Sequence, residues 1–109
     1  MNEKKMIKKY IPMTETMFFI LLSLQHEHHG YGIMLHVKEL TKGRIILGAG
    51  TIYNSLLRLK KDGLIKTFSE DDRKKTYITT EIGEKILKVE AKRLAELCSS
   101  AKPLLEELK

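Results

Sequence analysis

Thr51, Asn54, Ser55, Arg58 and Lys61 place two hydroxyls, an amide, a guanidinium and an ammonium along one short stretch. Their spacing gathers them on one side of a helix. No carboxylate joins them until Asp62. Such groups suit phosphates and base edges, and a DNA major groove is wide enough to admit a helix. Arg58 and Asn54 are the candidates for base contact. Thr51, Ser55 and Lys61 are the candidates for holding the backbone. An ordinary solvated helix face is the competing reading.

The stretch that carries them, Gly48 to Ile65, reads as one amphipathic helix. Ile52, Leu56 and Leu59 recur at +4 and +3 and form its buried face. Gly50 or Thr51 can stand at its start. Gly63 suits the left-handed backbone that stops a helix. Beyond Gly63 the period falls to two. Leu64–Phe68 reads as a strand, Ser69–Asp72 as a turn and Arg73–Thr80 as a returning strand. A hairpin directly behind a helix-turn-helix is a wing. Arg73, Lys74 and Lys75 sit where its tip approaches a backbone, partly offset by Glu70, Asp71 and Asp72. Charge that protects an edge strand is the alternative.

Upstream, residues 1–12 are basic and thinly apolar, and read as a frayed arm that can touch phosphates. Met6, Ile7 and Tyr10 have helical spacing, which offers a docked helix instead. Pro12 and the candidate cap Thr14 open a helix to about Gln25, with Met17, Ile20, Leu21 and Leu24 buried. Phe18 and Phe19 widen its apolar surface. A further helix spans Tyr31–Thr41, with Ile33, Val37 and Leu40 on its core side and Gly43 closing it. Arg44–Leu47 reads as a short strand. His26, His28 and His29 lie in the loop between these helices, with His36 on the next helix. Their spacing lacks a helical pair and a carboxylate or cysteine partner, so a polar loop is favoured and no metal is expected. A histidine-dependent metal sensor is the second functional reading. A winged-helix adaptor without DNA affinity is the third.

Thr80 caps the last helix, 81–109, with Glu84 in its first turn. Leu87, Ala91, Leu94, Cys98, Ala101, Leu105 and Leu108 alternate steps of +4 and +3, a heptad seam. A small domain cannot cover so long a seam, so it predicts a homodimer, with Cys98 as a buried small hydrophobe. Pro103 predicts a kink or restart near residues 100–102.

The chain has 109 residues, which bounds it to one domain with an appended helix. Twenty Lys and Arg against 14 Asp and Glu give +6, which favours a polyanionic partner. The apolar run Met17–Leu22 is too short for a bilayer, and no signal peptide is visible, so the cytoplasm is the expected location. One cysteine excludes an internal disulfide framework. No Walker loop, GxGxxG or HExxH is present, so neither a cofactor nor an enzyme is expected.

In order, MTETMFFILLSL, HGYGIMLHVKEL, GTIYNSLLRLKKDGLI and RKKTYITTEIG resemble a PadR-family transcriptional regulator of the short subfamily. The likeness runs from about Met13 to Leu108. It implies a mainly α fold: a winged helix-turn-helix over 13–80 carrying one small β-hairpin, then one C-terminal dimerisation helix. It also implies a dimer that binds pseudo-palindromic double-stranded DNA, usually as a repressor. Tyr53 is then the family's helix tyrosine, near the phosphate backbone, and Arg73, Lys74 and Lys75 match the basic wing. Several relatives bind flat or phenolic effectors between the terminal and first helices. This chain has no tryptophan for such a site; Tyr10, Phe18 and Phe19 are the aromatics that can substitute. The wing also departs from the family, having Asp72 and Thr76 in place of a glycine-rich basic tip and paired tyrosines.

Overall fold

The computed structural model describes residues 3–71 and 74–108. The elements run α1 (Glu3–Tyr10), α2 (Glu15–Ser23), α3 (Gly30–Leu40), α4 (Ala49–Lys61), β1 (Ile65–Asp71), β2 (Lys74–Thr79), α5 (Glu81–Ser100) and α6 (Lys102–Glu107). This is a winged helix-turn-helix, mainly α, with one antiparallel hairpin. Its core joins Ile20 and Leu21 of α2 and its C-cap Leu24 to Ile33 and Val37 of α3, and Ile52, Leu56 and Leu59 of α4 to Ile86 and Leu87 of α5.

Local chemistry sets the boundaries. Thr14 Oγ1 accepts from Met17 N at 3.1 Å and starts α2. His29 Nδ1 accepts from Gly32 N at 3.0 Å and starts α3. Thr80 Oγ1 accepts from Gly83 N at 3.2 Å and starts α5. At the end of α4, Gly63 takes φ 79°, and the Leu64 amide donates to the Leu59 carbonyl at 2.9 Å. That paired closure needs the left-handed backbone glycine tolerates.

Several expectations need correction. Residues 3–10 are not a loose arm but form α1, with Met6 and Tyr10 buried, which is the docked-helix alternative; residues 1 and 2 lie outside the described residues. Each such burial yields about 1.5–3 kcal/mol, enough to hold a short helix on a core. The helix α4 starts at Ala49 behind the N-cap Gly48, rather than at Gly50 or Thr51, and has no side-chain cap. Leu40 is exposed.

Arg44–Leu47 is not a strand. Thr41 satisfies its backbone instead, accepting from Ile45 N on Oγ1 at 3.0 Å and from Arg44 N on its carbonyl at 3.1 Å. The place beside β2 is filled by His28, which exchanges two backbone bonds with Tyr77 at 3.2 and 2.9 Å. The strand β1 runs on to Asp71, through the stretch expected to turn, with a bulge between Thr67 and Ser69.

The helix α5 ends at Ser100, and α6 restarts with Pro103 in its first turn, as the proline predicted. Of the seam, Leu87 lies in the chain's own core, so it is not open to a partner. Cys98 is exposed in the single chain, where a seam residue awaiting a second copy would also be exposed. The Cα radius of gyration is 15.1 Å, above the about 13 Å of a compact domain this size. A long axis of 53 Å accounts for the excess.

The N-terminus of α5 lies against the turn after α4. A Cβ on Gly83 would meet the Leu64 carbonyl oxygen at 2.0 Å. Backbone cannot yield as a side chain tip can. Gly83→Ala is therefore expected to destabilise the fold by roughly 2–3 kcal/mol, read as a lowered melting temperature.

Candidate nucleic-acid interface

At about 100° per residue, α4 shows four sides. Ile52, Leu56 and Leu59 face the core. Asn54 and Lys61 point away from it, with Leu57 alongside; all three are exposed. Thr51, Ser55, Arg58 and Asp62 form the flank toward α1. Tyr53 and Lys60 form the flank toward β2, where they share a groove with Lys75 and Tyr77. The helix thus splits the predicted set in two. Asn54 and Lys61 stand outermost, while Arg58 turns sideways.

Arg58 has a partner already. Its guanidinium carbon lies 4.9 Å from the centre of the Tyr10 ring. The Tyr10 hydroxyl donates to Asp62 Oδ2 at 2.6 Å, and Lys9 Nζ pairs with the same oxygen at 2.9 Å. Burial works against ionisation of Asp62, but the bonds from Lys9 and Tyr10 outweigh it, and the carboxyl stays below its usual range. Burial, then the Asp62 carboxylate, raises the Tyr10 phenol. The one acidic group at the end of α4 is therefore buried and neutralised, and its repulsion of phosphates is muted.

A second buried carboxylate ties α1 and α2 to α5. Glu90 accepts from the Met13 amide at 2.7 Å and from Arg93 at 2.6 and 2.9 Å. The Arg93 bond leads in holding its carboxyl low, against the cost of burial.

On the wing, Lys74 is exposed, and Lys75 pairs with Glu70 at 3.2 Å. Arg73, predicted beside them, lies outside the described residues. The histidines hold the fold locally. His28 stacks on His36 with centroids 5.4 Å apart. The Nδ1 of His36 lies 2.8 Å from Ser23 Oγ, and that of His28 lies 2.9 Å from the Ser23 carbonyl. His29 caps α3. Among the described residues no three His, Cys, Asp or Glu side chains converge as metal ligands. Phe18 and Phe19 meet edge to face at 5.8 Å and pack on the core.

Residue types on α4 did not reveal Tyr31 and Lys60, which join Tyr53 at the groove. Leu57 carried a signal: it is apolar but falls off the Ile52, Leu56, Leu59 stripe. The Lys9–Tyr10–Asp62 link needed the tertiary fold, since its ends are more than fifty residues apart.

The model of the transcriptional regulator PadR-like family matches residues 20–89, from α2 through the first half of α5. The chain belongs to that family. PadR-like proteins regulate transcription and are not enzymes. Solved structures share the fold. A transcriptional regulator from Clostridium thermocellum is 24% identical, with 96% of each chain covered and a TM-score of 0.64. A PadR-family regulator from Clostridium difficile is 21% identical, covering 84% of this chain and 99% of that one, with a TM-score of 0.69. A PadR-like regulator from Bacillus cereus is 21% identical, covering 93% and 96%, with a TM-score of 0.66. An uncharacterised 37.1 kDa protein in a transposon of Streptomyces fradiae is 32% identical over 69 residues. That stretch is 63% of this PadR-like chain and spans 19% of the relative's length. Among the described residues no helix is long and apolar enough to cross a membrane.

Asp62 and Glu90 have depressed folded-state pKa values, so their stabilisation is present above the unfolded values and is lost as pH falls through the folded ones. Unfolded carboxyls titrate near about 4. Stability in urea should therefore fall below about pH 4. Asp62→Asn should be less stable at neutral pH and show a shallower acid loss, read from denaturation midpoints.

Proposed function

We propose that this PadR-like protein is a sequence-specific regulator of transcription that binds a pseudo-palindromic operator as a homodimer. Repression, relieved by a small-molecule effector, is the direction we assign. The observation that carries the reading is the outer side of α4. It offers Asn54 and Lys61 to solvent, flanked by Thr51 and Tyr53, while Asp62 is buried. The net charge of +6 supports a polyanionic partner.

Each copy lays α4 in a major groove, and the two grooves are about 34–36 Å apart. Asn54 reads a base edge. Arg58 joins it only by leaving the Tyr10 ring, giving up about 0.5–1 kcal/mol. Tyr53, Thr51, Ser55 and the lysines, including Lys74 and Lys75 on the wing, hold phosphates.

The dimer rests on the far half of α5 and on α6. Leu94, Leu97, Leu104, Leu105 and Leu108 are 37, 53, 65, 49 and 82% exposed in the single chain. Covering each with a second copy outweighs surface ion pairs at about 0–1 kcal/mol. The exposed Ala91 and Cys98 and the half-buried Ala101 lie on the same seam. An effector acts on this assembly only by preferring one spacing of the two reading heads.

Fluorescence anisotropy with the protein's own upstream DNA tests the reading. Affinity should fall steeply with salt as counterions are released; a flat response overturns it. Asn54→Ala should cost about 1–3 kcal/mol of discrimination at one base position. Lys74→Ala should weaken all duplexes alike and lower the salt slope by about 1. In sedimentation, Leu94→Glu with Leu105→Glu should give monomers, with roughly 100-fold weaker operator binding.

A further inference from the structure

A groove of about 830 Å³ opens between the first turn of α3, the helix α4 and the strand β2. That size lies within the about 300–1,000 Å³ of small-molecule sites. Its floor is apolar: Ile52 and Leu56 are buried and Met34 half-buried. Its walls are Tyr31, Tyr53 and Leu57, which are 61, 62 and 54% exposed and lack apolar cover.

The charge of the rim is one-sided. Lys60 and Lys75 line the groove, and no Asp or Glu does so among the described residues. Lys60 makes no ion pair among the described residues. Lys75 pairs with Glu70 across an exposed contact that a bound anion can replace. The Glu70 carboxylate beside Lys75 favours its charged form.

DNA accounts for the rim but not for the floor. A phosphate strand suits lysines and tyrosine hydroxyls; it does not complement Met34, Ile52 and Leu56. The floor and walls ask for a flat apolar body, and the rim asks for a negative charge on its edge.

We propose that this groove binds a flat aromatic anion, its ring between Tyr31, Tyr53 and Leu57 and its charge at Lys60 and Lys75. Occupant and operator then exclude each other, because Tyr53 and Lys75 serve both. The exclusion rests on the DNA reading above; the groove does not. It lies beside α4 and the wing, away from the α5–α6 seam, so a ligand here blocks DNA directly without changing the dimer.

The probe is anilinonaphthalene sulfonate, an aromatic anion, added to the full chain with methyl-labelled methionine. Met34 lines the groove, and Met6, Met13 and Met17 lie elsewhere. The Met34 methyl resonance should shift saturably while those of Met6 and Met17 hold. Leu57→Glu and Lys60→Glu, both at exposed positions, should each weaken binding roughly tenfold with unchanged circular dichroism. A shift at Met17 in place of Met34, or unchanged affinity in both variants, overturns the groove. Adding upstream duplex DNA should return Met34 to its free position. Tight duplex binding with the sulfonate still bound overturns the exclusion alone. Sulfonate binding at Met34 without any duplex binding supports the groove and removes both the exclusion and the reading beneath it.

Discussion

The helix α4 keeps its orientation because one buried carboxylate is satisfied from another helix. Asp62 ends α4, and Lys9 and Tyr10 of α1 reach it. The helix α1 also packs along α5. Glu90 of α5 in turn holds the backbone at Met13. Two carboxylates thus close a loop of contacts through α1, α4 and α5. A buried charge left without partners costs several kcal/mol, so this loop behaves as a unit rather than as separate bonds. The angle between α4 and α5, which a dimer would convert into half-site spacing, follows from it.

The same link divides the work on α4. A helix that presents five polar side chains looks like one polar face in projection. In three dimensions Arg58 is drawn toward Tyr10, and Tyr53 and Lys60 lean toward β2. Asn54 and Lys61 are left outermost. Side chains on neighbouring flanks differ by what stands beside them, which no helical projection contains.

Much of this was legible in the sequence because the signals were local. The stripe Ile52, Leu56, Leu59, the stop at Gly63, the cap at Thr80 and the restart near Pro103 each follow from residues within a turn or two. What failed was set by distant partners. The first helix looked loose because Lys4, Lys5, Lys8 and Lys9 hide the Met6–Tyr10 stripe, whose cover comes from α5. Arg44–Leu47 has β-branched residues but no edge to pair with, since His28 already occupies it. Leu87 fits the heptad equally well as core or as seam, and only the fold decides.

Among the described residues, the backbone bonds that fasten the hairpin to the helical body lie near its root. His28 grips Tyr77 and Leu24 grips Thr79, both through backbone bonds, while Thr76 adds only a side-chain bond to Glu27. Toward the tip, Lys74 and Lys75 of β2 pair with Asp71 and Glu70 of β1, and the bulge between Thr67 and Ser69 adds twist to the ribbon. The ribbon is therefore a lever whose fulcrum is the His28 bridge. A small tilt at that fulcrum carries Lys74 and Lys75 through a wide arc while the helical body stays in place.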